Sequence, residues 1–275
     1  MLPRPILPRL VATDLDGTLL TSAGTISPRT RQALDHLERL GVPVVIVTGR
    51  PVRWMQGLWD VIGGHSIAVL SNGAVVYDVG ERRIRSTQMI DPVVATEVAG
   101  RLRRRLPGTV FALEKVGGIG VEPAFRSRYD NPSQPETTAL SIGPLEEIID
   151  EGAVKMLAQH EDWAPERFWA EVEAEVGHLV TTTWSSDHAM VEISARGVTK
   201  ATTLASLAAE LGVVAAEVLA FGDMPNDVTM LQWAGRSFAM GNAHPSALRA
   251  ADQHAPTNDE DGVAQVLEAI FGLAP

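Results

Sequence analysis

Two carboxylates two positions apart, Asp14 and Asp16, followed at once by Gly17 and Thr18, are the residues of this chain best placed to do chemistry. They close the apolar run Leu10, Val11, Ala12. A strand packed on both faces reads as such a run, and in open α/β sheets ligands gather beyond the carboxyl ends of the strands. Gly17 lets the backbone turn sharply and approach a ligand closely. Alone, the pair reads equally well as an Asx-rich turn whose carboxylates satisfy backbone amides. The rest of the chain decides between the two.

Further polar residues stand at equivalent places. Thr48 and Gly49 follow an apolar run at residues 42–47, Asn72 follows one at 67–70, Asp223, Asn226 and Asp227 follow one at 218–221, and Lys200 opens a helical stretch. Carboxylates converging there would repel, by about 4 kcal/mol for two charges about 4 Å apart at an effective dielectric near 20, unless a cation joined them. Hard oxygen ligands suit Mg2+, which binds through one or two carboxylates plus a phosphate. A phosphate would meet that ion, the Lys200 ammonium, the Thr48 hydroxyl and loop amides. Such a cradle suits phosphoryl transfer.

Holding those groups together needs a scaffold. Residues 27–41 read as a helix, with Ser27 as N-cap, Pro28 at the first position, Ala33, Leu34, Leu37 and Leu40 at helical spacing, and Gly41 as terminator. The first 75 residues alternate strand, helix, strand, helix, strand, which predicts a parallel sheet. From about Arg85 strand-like runs at 109–112, 154–158, 179–184 and 189–193 alternate with amphipathic stretches at 91–106 and 163–176, the texture of a separate α+β unit. Residues 125–138, with Pro132 and Pro135, read as an irregular loop, and Gly117, Gly118 and Gly120 lack the spacing of a dinucleotide loop. After about Ile193 the first texture returns: a helix at 199–212, a strand at 218–221, a helix carrying Val228, Leu231 and Trp233, and a strand near Phe238. The expected fold is α/β, a Rossmann-like parallel-sheet core of residues 1–84 and 190–275 interrupted by an α+β insertion at 85–189.

At 275 residues the chain suits one large domain or two smaller ones, and 45% hydrophobic with 21% charged residues marks it as globular. A formal net charge of −11 argues against nucleic-acid and anionic-membrane partners, which need a basic face. The absence of cysteine excludes disulfides, thiolate catalysis and cysteine zinc sites. No window reaches about 18 apolar residues and no signal peptide opens the chain, so the expected location is cytoplasmic. Oligomeric state, monomer or homodimer, is not legible.

DLDGT at Asp14 to Thr18, VTGR ending at Arg50, Lys200 within GVTKATTL, and GDMPND from Gly222 to Asp227 resemble the four motifs of the haloacid dehalogenase superfamily of phosphatases. SNGA at Ser71 to Ala74 and AMGNA at Ala239 to Ala243 further resemble its Cof-type branch, whose α+β cap lies between the second and third motifs. The resemblance implies that Asp14 is the nucleophile and Asp16 the general acid, with Thr48 and Lys200 holding the phosphoryl group. It places Mg2+ on Asp14, Asp223 and the Asp16 backbone carbonyl, counts Asp227 with this metal group, and has Asn226 and Asp227 order it from beside. Gly17, Gly49, Asn72 and Asn226 would line the phosphate. Two departures, Ala201 after Lys200 and the Met224–Pro225 pair, remove no functional group.

The implied activity is Mg2+-dependent hydrolysis of small phosphomonoesters, sugar phosphates or similar, through an aspartyl phosphate. The alternatives are a phosphomutase of the same superfamily and a non-catalytic phosphometabolite-binding module. Arg126, Arg128, Lys115 and Lys155 are the cap cations that could meet a leaving group. Arg101, Arg103, Arg104 and Arg105 read as a solvated helix face, and Trp163, Phe168 and Trp169 as core.

Overall fold

The computed structural model describes residues 7–55, 57–59, 67–126, 139–149, 152–186 and 188–273. Strand β1 (Leu10–Thr13) is wholly buried, and it lies mid-sheet between β2 (Val44–Val47) and β12 (Val218–Gly222), parallel to both. Strand β3 (Ile67–Leu70) extends the parallel part on one side, β13 (Arg236–Ala239) and β14 (Gln253–His254) on the other. An antiparallel hairpin, β4 (Val75–Asp78) and β5 (Arg83–Thr87), completes eight strands. Because every strand from β14 to β3 points the same way, the ends of β1, β2, β3 and β12 open on one edge, where the motifs begin.

Helix α1 (Pro28–Arg39) forms as its pattern predicts. The Ser27 hydroxyl accepts from the Thr30 amide at 3.0 Å, Ala33, Leu34 and Leu37 are buried, and Gly41 turns left-handed at φ 70°. The second helix expected before residue 67 falls largely outside the described residues, as do 127–138 of the expected loop.

The second sheet has six strands, in the order β10 (Val180–Thr183), β11 (Met190–Ala195), β9 (Lys155–Gln159), β6 (Val110–Glu114), β7 (Gly118–Val121) and β8 (Ala139–Ile142). All neighbours are antiparallel except β7 and β8. Gly118 and Gly120, which lack the spacing of a dinucleotide loop and fall outside the strand-like runs of the sequence, sit in β7. Glycine carries no side chain to show an alternation, and pairing with β6 and β8 makes the strand. Met190–Ala195, whose run at 189–193 has the texture of the α+β unit but which the expected boundary at residue 190 leaves in the core, pairs here with β9 and β10, while Arg83–Thr87 belongs to the first sheet.

Two helices, α2 (Pro92–Arg105) and α4 (Pro165–Val176), cover one face of this sheet; a short α3 (Leu145–Ile148) lies between them in the chain. Side chains alternate along a strand. Phe111, Leu113, Met156, Ala158, Val191 and Ile193 therefore face those helices in a core with Leu102, Phe168 and Val172. Glu114, Lys155 and Glu192 fall on the opposite face, and all three are buried. The arginines of α2 pair outward: Arg101 with Glu97, Arg103 with Glu122 and Glu146, Arg105 with Glu171. No helix of the described residues is long and apolar enough to cross a membrane.

Candidate active site

Asp14 leaves the end of β1 and is 6% exposed. The loop after it, residues 15–19, turns tightly because Gly17 adopts φ 71°, and a Cβ on Gly17 would lie 2.3 Å from Asp223 Oδ2. A glycine there lets the two acidic loops touch. Thr18 donates to Asp223 Oδ1 at 2.9 Å, and Asn242 of the AMGNA stretch donates to the Gly17 carbonyl at 2.8 Å.

Helix α5 (Lys200–Glu210) starts on a reciprocal cap, Thr199 with Thr202, which aims Lys200 inward from its first turn. The Lys200 ammonium donates to Asp14 Oδ1 and Asp227 Oδ1, each at 2.6 Å. The other oxygen of Asp227 accepts from the amides of Asp223 and Met224, both at 3.0 Å. Asp227 is thus fully engaged in shaping the loop that presents Asp223.

Ligand atoms of Asp14, Asp223 and Asp227 lie within 4.8 Å of one another, all buried. Burial pushes the Asp14 carboxyl well above its ordinary range; Lys200 opposes this, and Asp227, Asp223 and Asp16 add to it. Burial, then Asp227, pushes Asp223 up to about 7. Burial alone would lower Lys200, but Asp14 and Asp227 outweigh it and hold the ammonium above its usual value. A cluster of oxygens with so much unsatisfied negative charge fits a hard divalent cation. The Asp16 side chain stands outside it, 57% exposed, in a bidentate pair with Arg50 at 2.7 and 2.5 Å.

Thr48 is buried after β2, and its hydroxyl accepts from the Arg50 amide at 3.1 Å. Asn72, left-handed at φ 58°, donates to Glu192 Oε2 at 2.5 Å and accepts from Asn226 at 3.1 Å. The Gly49 carbonyl accepts from Lys155 at 2.9 Å. Lys200, Asp223 and Asp227 therefore meet at Asp14, the Asn72 amide donates to the Thr48 carbonyl, Asn72 joins Asn226 of the Asp223–Asp227 loop, and Asp16 faces outward. Of the expected cap cations, Lys155 reaches this region. Arg126 pairs with Glu161 and lines a cavity of about 170 Å³ with His160 and Trp163, beyond the other end of β9. Arg128 lies outside the described residues.

Sequence reasoning passed over Glu192, Asn242 and Arg50 as site residues. A lone charge inside the apolar strand MVEISA was the available signal for Glu192.

The haloacid dehalogenase-like hydrolase family matches residues 11–267. The chain belongs to that family. The 5-amino-6-(5-phospho-D-ribitylamino)uracil phosphatase YitU of Bacillus subtilis is 31% identical over 97% of this chain and 98% of its own. The pyridoxal phosphate phosphatase YbhA of Escherichia coli is 27% identical over 94% of this chain and 97% of its own. A solved haloacid dehalogenase-like hydrolase from B. subtilis superposes with a TM-score of 0.79 at 26% identity, covering 94% of this chain and 99% of that one. Family and relatives make the chain a phosphatase-type hydrolase.

Proposed function

We propose that this protein hydrolyses phosphomonoesters of small metabolites through an aspartyl phosphate on Asp14, with Mg2+ as cofactor. The observation that carries this reading is the buried meeting of Asp14, Lys200, Asp223 and Asp227, with Asp16 exposed beside it. An Asp14 oxygen attacks phosphorus and the bond from phosphorus to the ester oxygen breaks. Asp16, carrying a proton, gives it to the departing oxygen. Asp16 then takes a proton from water, whose oxygen attacks phosphorus; the bond to Asp14 breaks and inorganic phosphate leaves.

Lys200 and Thr48 would hold the transferring oxygens. Asp14 and Asp223, with the Asp16 carbonyl, would hold Mg2+, and Asp227 would keep the Asp223 loop in place. When bound, the ion supplies charge neutralisation at the phosphoryl oxygens. Arg50 must release Asp16 for proton transfer, since the pair occupies both carboxylate oxygens.

The six-stranded unit stands as the cap, excluding water and contacting the leaving group. Its Lys155 is already paired with Glu192, and its Glu114 already holds Arg53 of the core. A second phosphate would have to displace a carboxylate, which favours a phosphatase over a phosphomutase. The test is phosphate release from phosphorylated sugars, nucleotides, pyridoxal phosphate and 5-amino-6-(5-phospho-D-ribitylamino)uracil, with Mg2+ and with chelator. Metal-dependent release that vanishes in Asp14→Asn is expected. Release that survives in that variant overturns the nucleophile.

A further inference from the structure

Glu192 and Lys155 are charged residues on central strands of the six-stranded sheet, 4% and 5% exposed, yet neither belongs to the reaction as derived above. Burial of charge is costly unless the group is paired and fully hydrogen-bonded. Glu192 meets that condition with three donors: Lys155 at 3.0 Å and Asn72 at 2.5 Å on one oxygen, and the Ser185 hydroxyl on the other. Lys155 uses a second proton on the Gly49 carbonyl.

The partners divide by origin. Lys155, Ser185 and Glu192 come from the six-stranded sheet and its β10–β11 loop. Gly49 and Asn72 come from the loops after β2 and β3, which also carry Thr48 and meet Asn226. Asn72 has one conformation that serves this arrangement: its amide nitrogen is spent on Glu192 and its amide oxygen on Asn226. A Cβ at position 49 would lie 3.0 Å from Asn72 Oδ1 and 3.5 Å from Glu192 Oε2, so the loops and the carboxylate are in near contact.

We propose that Glu192, seated by Lys155 and Ser185, is a positioning residue that fixes the loops bearing Thr48, Gly49 and Asn72 at the geometry in which they hold a phosphoryl group. The proposal rests on the phosphatase reading of the same site. It assigns to the six-stranded unit a part in the chemistry itself, apart from any contact with the leaving group. Two other roles are set against it: structural glue between the sheets, and direct recognition of substrate hydroxyls.

The experiment compares Glu192→Ala, Glu192→Gln and Lys155→Met with the wild-type full chain in Mg2+. Turnover is read with p-nitrophenyl phosphate, whose leaving group carries no hydroxyl, and with a sugar phosphate. Orthovanadate affinity is read by calorimetry and Tm by circular dichroism. A misplaced cradle costs on the order of 100-fold. Glu192→Ala and Lys155→Met should lower kcat by roughly 30-fold to 100-fold on both esters, with KM within about threefold, because the loss falls on the transition state. Glu192→Gln should recover kcat to within about fivefold of wild type, since its amide oxygen can still accept from Asn72 and Lys155 while its nitrogen donates to Ser185.

A lowered Tm with unchanged kcat and vanadate affinity overturns the proposal in favour of structural glue. A loss confined to the sugar phosphate, or carried by KM, overturns it in favour of substrate recognition. Wild-type protein that releases no phosphate yet binds vanadate sinks the phosphatase reading alone, and weaker vanadate binding by Glu192→Ala still upholds the positioning role. Should wild type neither release nor bind, both fall.

Discussion

Lys200 lies between Asp14 and Asp227, its ammonium 2.6 Å from an oxygen of each and all three side chains buried. One cation thereby joins the end of β1 to the loop after β12. Removing one member of a buried ion network strands the others and costs about 3–5 kcal/mol. Lys200→Met should therefore lower Tm and reduce turnover at least about 100-fold, as loss of a preorganised donor does. Lys200→Met with Asp227→Asn should regain part of the Tm and none of the turnover. Denaturation and kinetics of the two variants check this; turnover that returns with stability would contradict a catalytic role for Lys200.

Asp14→Asn should abolish phosphate release while leaving the circular dichroism spectrum unchanged, because the amide keeps the shape and loses the carboxylate proposed as nucleophile. Asp16→Ala should cost about 100-fold to 10,000-fold, the range for loss of a general acid. Esters with acidic leaving groups should suffer least, since they need the proton least. Equal losses on acidic and basic leaving groups would count against Asp16 as the acid.

Stability of the metal-free protein should fall as pH rises. Asp223 titrates near 7 in the folded chain against an ordinary value of 3.8, raised first by burial. Between those values only the folded state holds the proton, so the stabilisation it gives is lost as pH climbs through about 7. Tm in chelator should drop by at least about 3 °C between pH 5 and pH 8, a shift of about 1 kcal/mol for a chain this size. Added Mg2+ should raise Tm more at pH 8 than at pH 5. A flat Tm across that interval would refute the crowding of these carboxylates.

Gly17→Ala should injure the site without touching any ionisable group. Its Cβ would sit 2.3 Å from Asp223 Oδ2, at a φ of 71° that L-residues adopt at a cost of about 1–2 kcal/mol. Mg2+ affinity by calorimetry should weaken about tenfold or more. Unaltered affinity would mean that Asp223 is not among the ligands.

Much of this was legible before any coordinates. Asp14, Lys200 and Asp223 declared themselves because each follows an apolar run or opens a capped helix, and those local signals survive folding. Helix α1 was legible for the same reason, through Ser27, Pro28 and Gly41. Glu192 was not, because its meaning depends on which face of which sheet it occupies, and pairing with β9 is a tertiary fact. The same holds for Gly118 and Gly120, which carry no alternation to read, and for the unit boundary at residue 190, since only pairing shows that the whole of Met190–Ala195 stays with β9 and β10. The tight engagement of Asp227 was also invisible: loop amides three and four residues away leave no mark on composition.

The central pairing of the first sheet joins Leu10 to Val218, and the Asp14–Lys200 contact spans 186 positions. During synthesis β1 can pair early with β2, but its other edge must wait for β12 while the whole six-stranded unit emerges. Distant pairings of this kind slow folding and leave strand edges open in the meantime. A nascent chain halted before residue 200 carries Asp14 without the Lys200 ammonium beside it. Catalytic competence is thus a late product of translation, gained when the last motifs leave the ribosome.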